Sequence, residues 1–233
     1  MAFSVTNLGT NSNAGTTTCK VTGITVPTGA LIVVIVGERS ASANAGPVND
    51  DAGNVYVAAI NDGINGNPAT GACAIYYSVN SLALSSQNIT YTKAGATTDK
   101  TAVSAFYVTG AATGSVLGAL TDAYFSTGTS PTITLTMQAT TSLVVGAVVR
   151  EGGTQTYSQS SGFATPPVAV HTGTSVADVQ IEGGYIVDSG SATETFNPSY
   201  SGNVLGTIMA AEFKVSGGGG GGSTGNFFTF LRS

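Results

Sequence analysis

His171, in Val168-Ala-Val-His-Thr-Gly173, is the only imidazole the chain offers as a general base. Serine or cysteine nucleophile chemistry needs such a base held beside the nucleophile. No Gly-x-Ser-x-Gly elbow stands before a helix, so His171 reads as a loop or surface histidine. Paired carboxylates are the next chemistry to weigh. Asp178, Gln180 and Glu182 alternate with Val179 and Ile181 and so share one face of a strand. Residues four apart on a strand lie ~13 Å apart, whereas glycosidase carboxyls sit ~5–9.5 Å apart. Asp178 and Glu182 therefore read as a solvated strand face, or as a hydrogen-bonding ridge for a polar partner.

Asn49-Asp-Asp-Ala-Gly-Asn54 and Asn61-Asp-Gly-Ile-Asn-Gly-Asn67 concentrate oxygen ligands in turns. Calcium takes such ligands, here from Asp50, Asp51 or Asp62. Asp, Asn and Gly are also what tight turns require for backbone reasons, and that simpler reading leaves no metal site and no cofactor. Cys19 and Cys73 both stand in strand-like contexts, as two small buried residues or as a disulfide pair. Two cysteines and one histidine do not complete a zinc site. No catalytic residue is assigned, and the chain reads as non-enzymatic.

The elements that would carry these residues are strands. About a dozen segments from Phe3–Leu8 to Val204–Val215 are rich in Thr, Val, Ile and aromatics, with Gly, Pro, Asn and Asp between them. Leu82–Gln87 and Val116–Phe125 are the only helix candidates, and both are short or broken by glycine. The expected fold is all-β, a single β-sandwich or jelly-roll-like domain. Two echoes suggest that it contains two related halves. Gly29-Ala-Leu-Ile-Val-Val-Ile-Val-Gly-Glu-Arg39 resembles Thr141-Ser-Leu-Val-Val-Gly-Ala-Val-Val-Arg-Glu151, and the segment Val103–Gly110 resembles Met209–Gly217. In the first echo Leu31, Val33 and Ile35 face one side of a strand and Ile32, Val34 and Val36 the other. A strand apolar on both sides needs cover on both. The protein's own loops or a neighbouring subunit could supply it, and a neighbour is the favoured expectation.

Charged residues make up 8% of the 233-residue chain, against roughly 25% in an ordinary soluble domain. The 42% hydrophobic content still suffices for a core. The seven basic residues form no cluster and the net charge is −5, so nucleic acid is not an expected partner. The apolar run Ala30–Val36 is far below the ~20 residues of a membrane helix. A surface of Ser, Thr, Asn and Gly has few long side chains to immobilise, which suits packing against other copies or glycans. The segment Met1–Leu8 lacks the basic and apolar regions of a secretory signal. That pattern fits a protein made in a host cytoplasm and released by lysis within a virus particle. The alternative is a chain on an extracellular surface whose signal has been removed and replaced by Met1.

Gly217–Gly222 are six consecutive glycines, followed by Ser-Thr-Gly225 and the tip Asn226–Ser233. Six glycines span up to ~20 Å without intrinsic structure. A dangling tip with Phe227, Phe228, Phe230 and Leu231 would be an aggregation liability. A tether ending in an apolar strand-former reads instead as a docking arm; a tail folding back on its own domain and a fusion scar are the alternatives. The expected division is a β-sandwich domain over 1–216, a glycine-rich linker over 217–225 and a docking tip over 226–233.

Asp-x-x-Gly-Asn-x-Tyr at Asp50–Tyr56, Ile75-Tyr-Tyr-Ser-Val-Asn80, the low charge and the missing signal together resemble β-sandwich proteins of tailed-bacteriophage particles. These include capsid decoration proteins, head fibres and tail-associated adhesins, and the likeness spans about the first 110 residues. The resemblance implies a homo-oligomeric virion structural protein attached to a larger lattice such as a capsid. The alternatives are a glycan-binding adhesin module of a cell surface and a subunit of an extracellular filament.

Overall fold

The computed structural model describes residues 3–39, 44–64, 71–79, 82–96, 99–139, 141–188 and 190–214. It is nearly all β, as the sequence predicts. Among the described residues no helix is long and apolar enough to cross a membrane.

The first half of the chain contributes β1 (Ser4–Asn13), β2 (Thr18–Val26), β3 (Leu31–Arg39), β4 (Val48–Asp50), β5 (Val57–Gly63), β6 (Ala72–Ser78), β7 (Leu84–Thr92) and β8 (Lys100–Thr109). The second contributes β9 (Leu117–Phe125), β10 (Ile133–Thr136), β11 (Ser142–Glu151), β12 (Tyr157–Ser158), β13 (Val170–His171), β14 (Val179–Asp188), β15 (Thr193–Phe196), β16 (Ser199–Tyr200) and β17 (Gly206–Lys214). Each half builds a five-stranded sheet, in the order β1-β8-β3-β6-β5 and β9-β17-β11-β14-β13. In both, the first strand of the half pairs with its last, and the third lies in the middle. Smaller sheets cover the outside: β2-β7-β4 over the first half, and the ribbons β10-β15 and β12-β16 over the second.

The result is four layers with three apolar seams. Leu31, Val33, Ile35 and Phe106 of the first sheet meet Leu143, Val145, Val149 and Phe213 of the second in the central seam. Ile32, Val34 and Val36 face outward onto Val21, Ile89 and Tyr91 of the small sheet. Val144 and Val148 face outward onto Ile133, Leu135 and Phe196. The doubly apolar β3 is thus covered on both sides by the chain itself, which corrects the expectation of a neighbouring subunit. Sequence patterning shows that a strand lies between two layers, and topology decides whose layers they are.

The first echo falls on β3 and β11, the central strands, with Leu31 equivalent to Leu143. The ladders β3–β8 and β11–β17 then equate Val108 with Phe213. The second echo therefore falls on equivalent strands but two residues out of register, a shift that preserves the face each residue occupies. Gly37 lies close against the second half. A Cβ there would lie 2.7 Å from Val149 Cγ1 and 2.8 Å from Val179 Cγ2.

Val116–Phe125, a helix candidate by sequence, supplies the edge strand β9, and Leu82–Gln87 supplies the start of β7. The β9 edge is solvated, with Leu120 and Tyr124 exposed, so the strict alternation of a half-buried strand is missing. Residues Gly217–Ser233, including the tip residues Phe227, Phe228, Phe230 and Leu231, lie outside the described residues, as do the boundaries at 216/217 and 225/226.

Cys19 and Cys73 are both free and fully buried. Cys19 sits in the outer seam and Cys73 in the central one, on opposite sides of the first large sheet, so no disulfide joins them. Burial pushes the Cys19 thiol up to about 11 and raises that of Cys73 as well. Neither thiol should react with a maleimide in the native protein at neutral pH, and both should react on unfolding without reductant. A thiol that labels at native conditions, or labels only after reduction, contradicts this placement.

Candidate functional site

The turn residues resolve first. The Asp50 carboxylate accepts from the N–H groups of Ala52 and Asn54 at 3.0 Å, from Asn54 Nδ2 at 2.7 Å and from Tyr56 Oη at 2.9 Å. Asp51 accepts from the backbone and side chain of Asn88 at 3.0 and 2.8 Å. Asp62 accepts from the N–H of Gly63 at 2.7 Å. Asp50 and Asp51 thus close a turn and pin β7, the backbone role the composition suggests, whereas Asp62 lies within β5 and not in a turn. Among the described residues no group of three or more His, Cys, Asp or Glu side chains could hold a metal ion.

The densest polar cluster lies in the second half, around a residue the sequence does not single out. β11 runs apolar from Leu143 to Val149 and then places Arg150, 1% exposed, on its outer face. The neighbouring β14 brings Glu182, also fully buried, onto the same face. The guanidinium grips the carboxylate with two parallel bonds, Nε to Oε2 and Nη2 to Oε1, both 2.8 Å. Tyr200 on β16 donates its hydroxyl to Glu182 Oε2 at 2.9 Å, and its ring lies 5.0 Å beneath the guanidinium carbon. His171 on β13 comes within 3.0 Å of Glu182 Oε1 through Nε2. Burial alone would raise the Glu182 carboxyl. The bonds from His171, Arg150 and Tyr200, with the guanidinium charge, overcome this and hold it below the usual carboxylate range. Burial, then the Glu182 charge, pushes the Tyr200 hydroxyl well up.

The strand face Asp178–Gln180–Glu182 is therefore not solvated: all three are buried. Asp178 accepts from Ser175 N–H at 2.8 Å and lies 3.4 Å from Lys100 Nζ, and Gln180 Nε2 donates to the carbonyls of Gly173 and Gly153 at 2.7 and 3.2 Å. Arg150 and the connections before β12 and β14 cover the face that alternation alone assigns to water. The available sequence signal was the position of Arg150, a charge ending an otherwise apolar strand.

The pseudo-symmetry extends to these charges. Arg150 is equivalent to Glu38, likewise fully buried, which accepts from Tyr91 Oη and from the N–H groups of Ala94 and Gly95 at 3.1 and 2.8 Å. Arg39 is equivalent to Glu151, and the two pair with each other across the halves at 2.7 Å. Each half thus carries the inverse of the other's charges. Such groups hold sheets together, and among the described residues no hydroxyl or thiol side chain is bonded to the His171 ring as a nucleophile would be.

Beside Arg150 four connections of the second half meet around a cleft of about 410 Å³. Their walls are tied to one another: Glu151 N–H to Leu205 O at 3.1 Å, Gly152 N–H to Asp178 O at 2.9 Å, and Val204 N–H to Gly128 O at 3.0 Å. Gly152 permits a close approach to the carbonyl of Ser175 that a Cβ would block. The chain matches no protein-family model, and no significant match is found among curated proteins or solved structures.

Proposed function

We propose that this chain is a non-enzymatic structural protein of a larger particle, of the virion decoration or fibre kind, which self-associates and docks through its C-terminal arm. The observation that carries the reading is how β17 is held at Lys214, shortly before the glycine run of the sequence. Lys214 is fixed at the end of β17 by bonds from Ala112 N–H to its carbonyl at 2.8 Å and from its N–H to Val116 O at 2.7 Å. Lys214 thus sits beside the start of β9, which among the described residues is paired on one side only. Among the described residues the large apolar sheet faces are covered within the body. An apolar tip after a glycine run, read from the sequence, and the sheet edges are elements that suit association. The buried charged groups support the non-enzymatic part, because their bonds are spent on joining sheets.

Deleting Gly217–Ser233 tests the reading. The circular dichroism spectrum and melting temperature should stay unchanged, while species larger than the monomer disappear in analytical ultracentrifugation. Replacing Phe228 and Phe230 with serine should weaken association in the same direction. A truncated chain that associates like the full one overturns the reading, and one that fails to fold makes the tail a strand of the body instead.

A further inference from the structure

The cleft beside Arg150 has the makings of a binding site independent of the arm. Arg150, one of its lining residues, is 1% exposed and its guanidinium has a fixed orientation. Four of its five N–H bonds are accounted for: two to Glu182, one from Nη2 to Gln155 O at 3.2 Å, and one from Nη1 to Glu151 O at 3.3 Å. The remaining Nη1 donor belongs to a residue that lines the cleft. Around it stand Thr127, Thr154, Thr174 and Asn203, all exposed, whose side chains make no hydrogen bond with another described residue. Val176, 69% exposed, adds an apolar patch at the same rim.

The charges decide the class of ligand. Glu182 offsets Arg150 at 2.8 Å, and Glu151, the carboxylate in the wall, is offset by Arg39 at 2.7 Å. The cleft is therefore close to neutral, and a phosphate or carboxylate gains little by entering it. Uncommitted hydroxyl and amide groups beside a small apolar patch instead match a molecule with many hydroxyls and an apolar C–H face. The volume lies in the range of small-ligand sites, and the interlocked walls keep it preformed. We propose that this cleft binds a neutral carbohydrate unit. A sugar site is compatible with a place on a particle surface, but it does not depend on one.

The test uses saturation-transfer NMR on the full chain with D-glucose, D-galactose, L-rhamnose and N-acetylglucosamine, and with glucuronate and inorganic phosphate as anionic probes. At least one neutral sugar should receive saturation at its ring protons. The double variant Thr154→Val/Asn203→Ala should weaken that sugar by about tenfold or more, from the loss of two hydrogen bonds, with an unchanged melting temperature. No transfer to any neutral sugar overturns the proposal. So does tighter binding of glucuronate or phosphate than of every neutral sugar, or transfer that persists undiminished in the double variant.

Discussion

Replacing Glu182 with alanine lowers folding stability by about 3–5 kcal/mol, the cost of leaving a buried charge without its partner. In a chain of this size the melting temperature then falls by on the order of 10 °C. The reason is Arg150, which is 1% exposed and loses the carboxylate that holds two of its N–H groups. Tyr200, 6% exposed, loses its acceptor in the same step. Replacing both charges with apolar residues, Arg150→Met with Glu182→Leu, should recover part of the loss, because the ion pair's attraction is largely offset by its own desolvation. The Tyr200 hydroxyl remains orphaned in that variant, so recovery stays incomplete. The same pair sets an acid sensitivity. The folded carboxyl of Glu182 titrates below its unfolded value, so its stabilisation is complete above the ordinary carboxylate range and fades as the pH falls through the folded value. Thermal melts across acid pH should show a steeper decline for the parent than for the double variant. A Glu182→Ala protein that melts with the parent would show that Arg150 finds water or another partner in solution.

Residues 1–112, expressed alone, should not persist as a folded monomer. Separation bares the central face of the first sheet, where Leu31, Val33, Ile35, Ile75, Phe106 and Val108 are all at most 2% exposed in the intact chain. Each such side chain contributes about 1.5–3 kcal/mol on burial, so the six together contribute on the order of 10 kcal/mol, comparable to the whole stability of a typical domain. Pairing of two copies is hampered as well, because it sets Arg39 toward Arg39 where the intact chain sets Arg39 against Glu151. Light scattering after gel filtration should show aggregates that bind a hydrophobic dye. Co-expression with residues 113–233 should recover a soluble complex of one of each, and the intact chain should melt in a single transition. A monomeric first half with a cooperative melt would mean that the central seam is dispensable for folding.

Much of this architecture is legible in the residues. Six consecutive apolar positions, Leu31 to Val36, announce a strand between two layers, and their echo at Leu143–Val149 locates its counterpart. The Asp50 turn reads correctly because its chemistry is local: an Asx side chain meets donors two to six residues away. What escapes is long-range. Asp178–Gln180–Glu182 has the alternation of a wet face, and only the Arg150 guanidinium thirty-two residues from Glu182 shows that the face is dry. The cleft is equally hidden, since its walls come from four connections far apart in sequence. β9 misleads for a third reason. As a free edge it meets few packing demands, so its residues carry little pattern.

The way β17 is held has a mechanical consequence. It is laddered to β11 from Gly206 to Lys214 on one side and to β9 on the other, so its end is gripped from both flanks. Tension entering along the strand through Lys214 loads these rungs in shear, and many must stretch together before any lets go. A pull across the sheet would instead peel them in turn. The strand at the other end is weaker, because among the described residues β1 is laddered in its sheet to β8 alone. Under load between the two ends, the N-terminal strand should strip away first while the C-terminal anchorage holds.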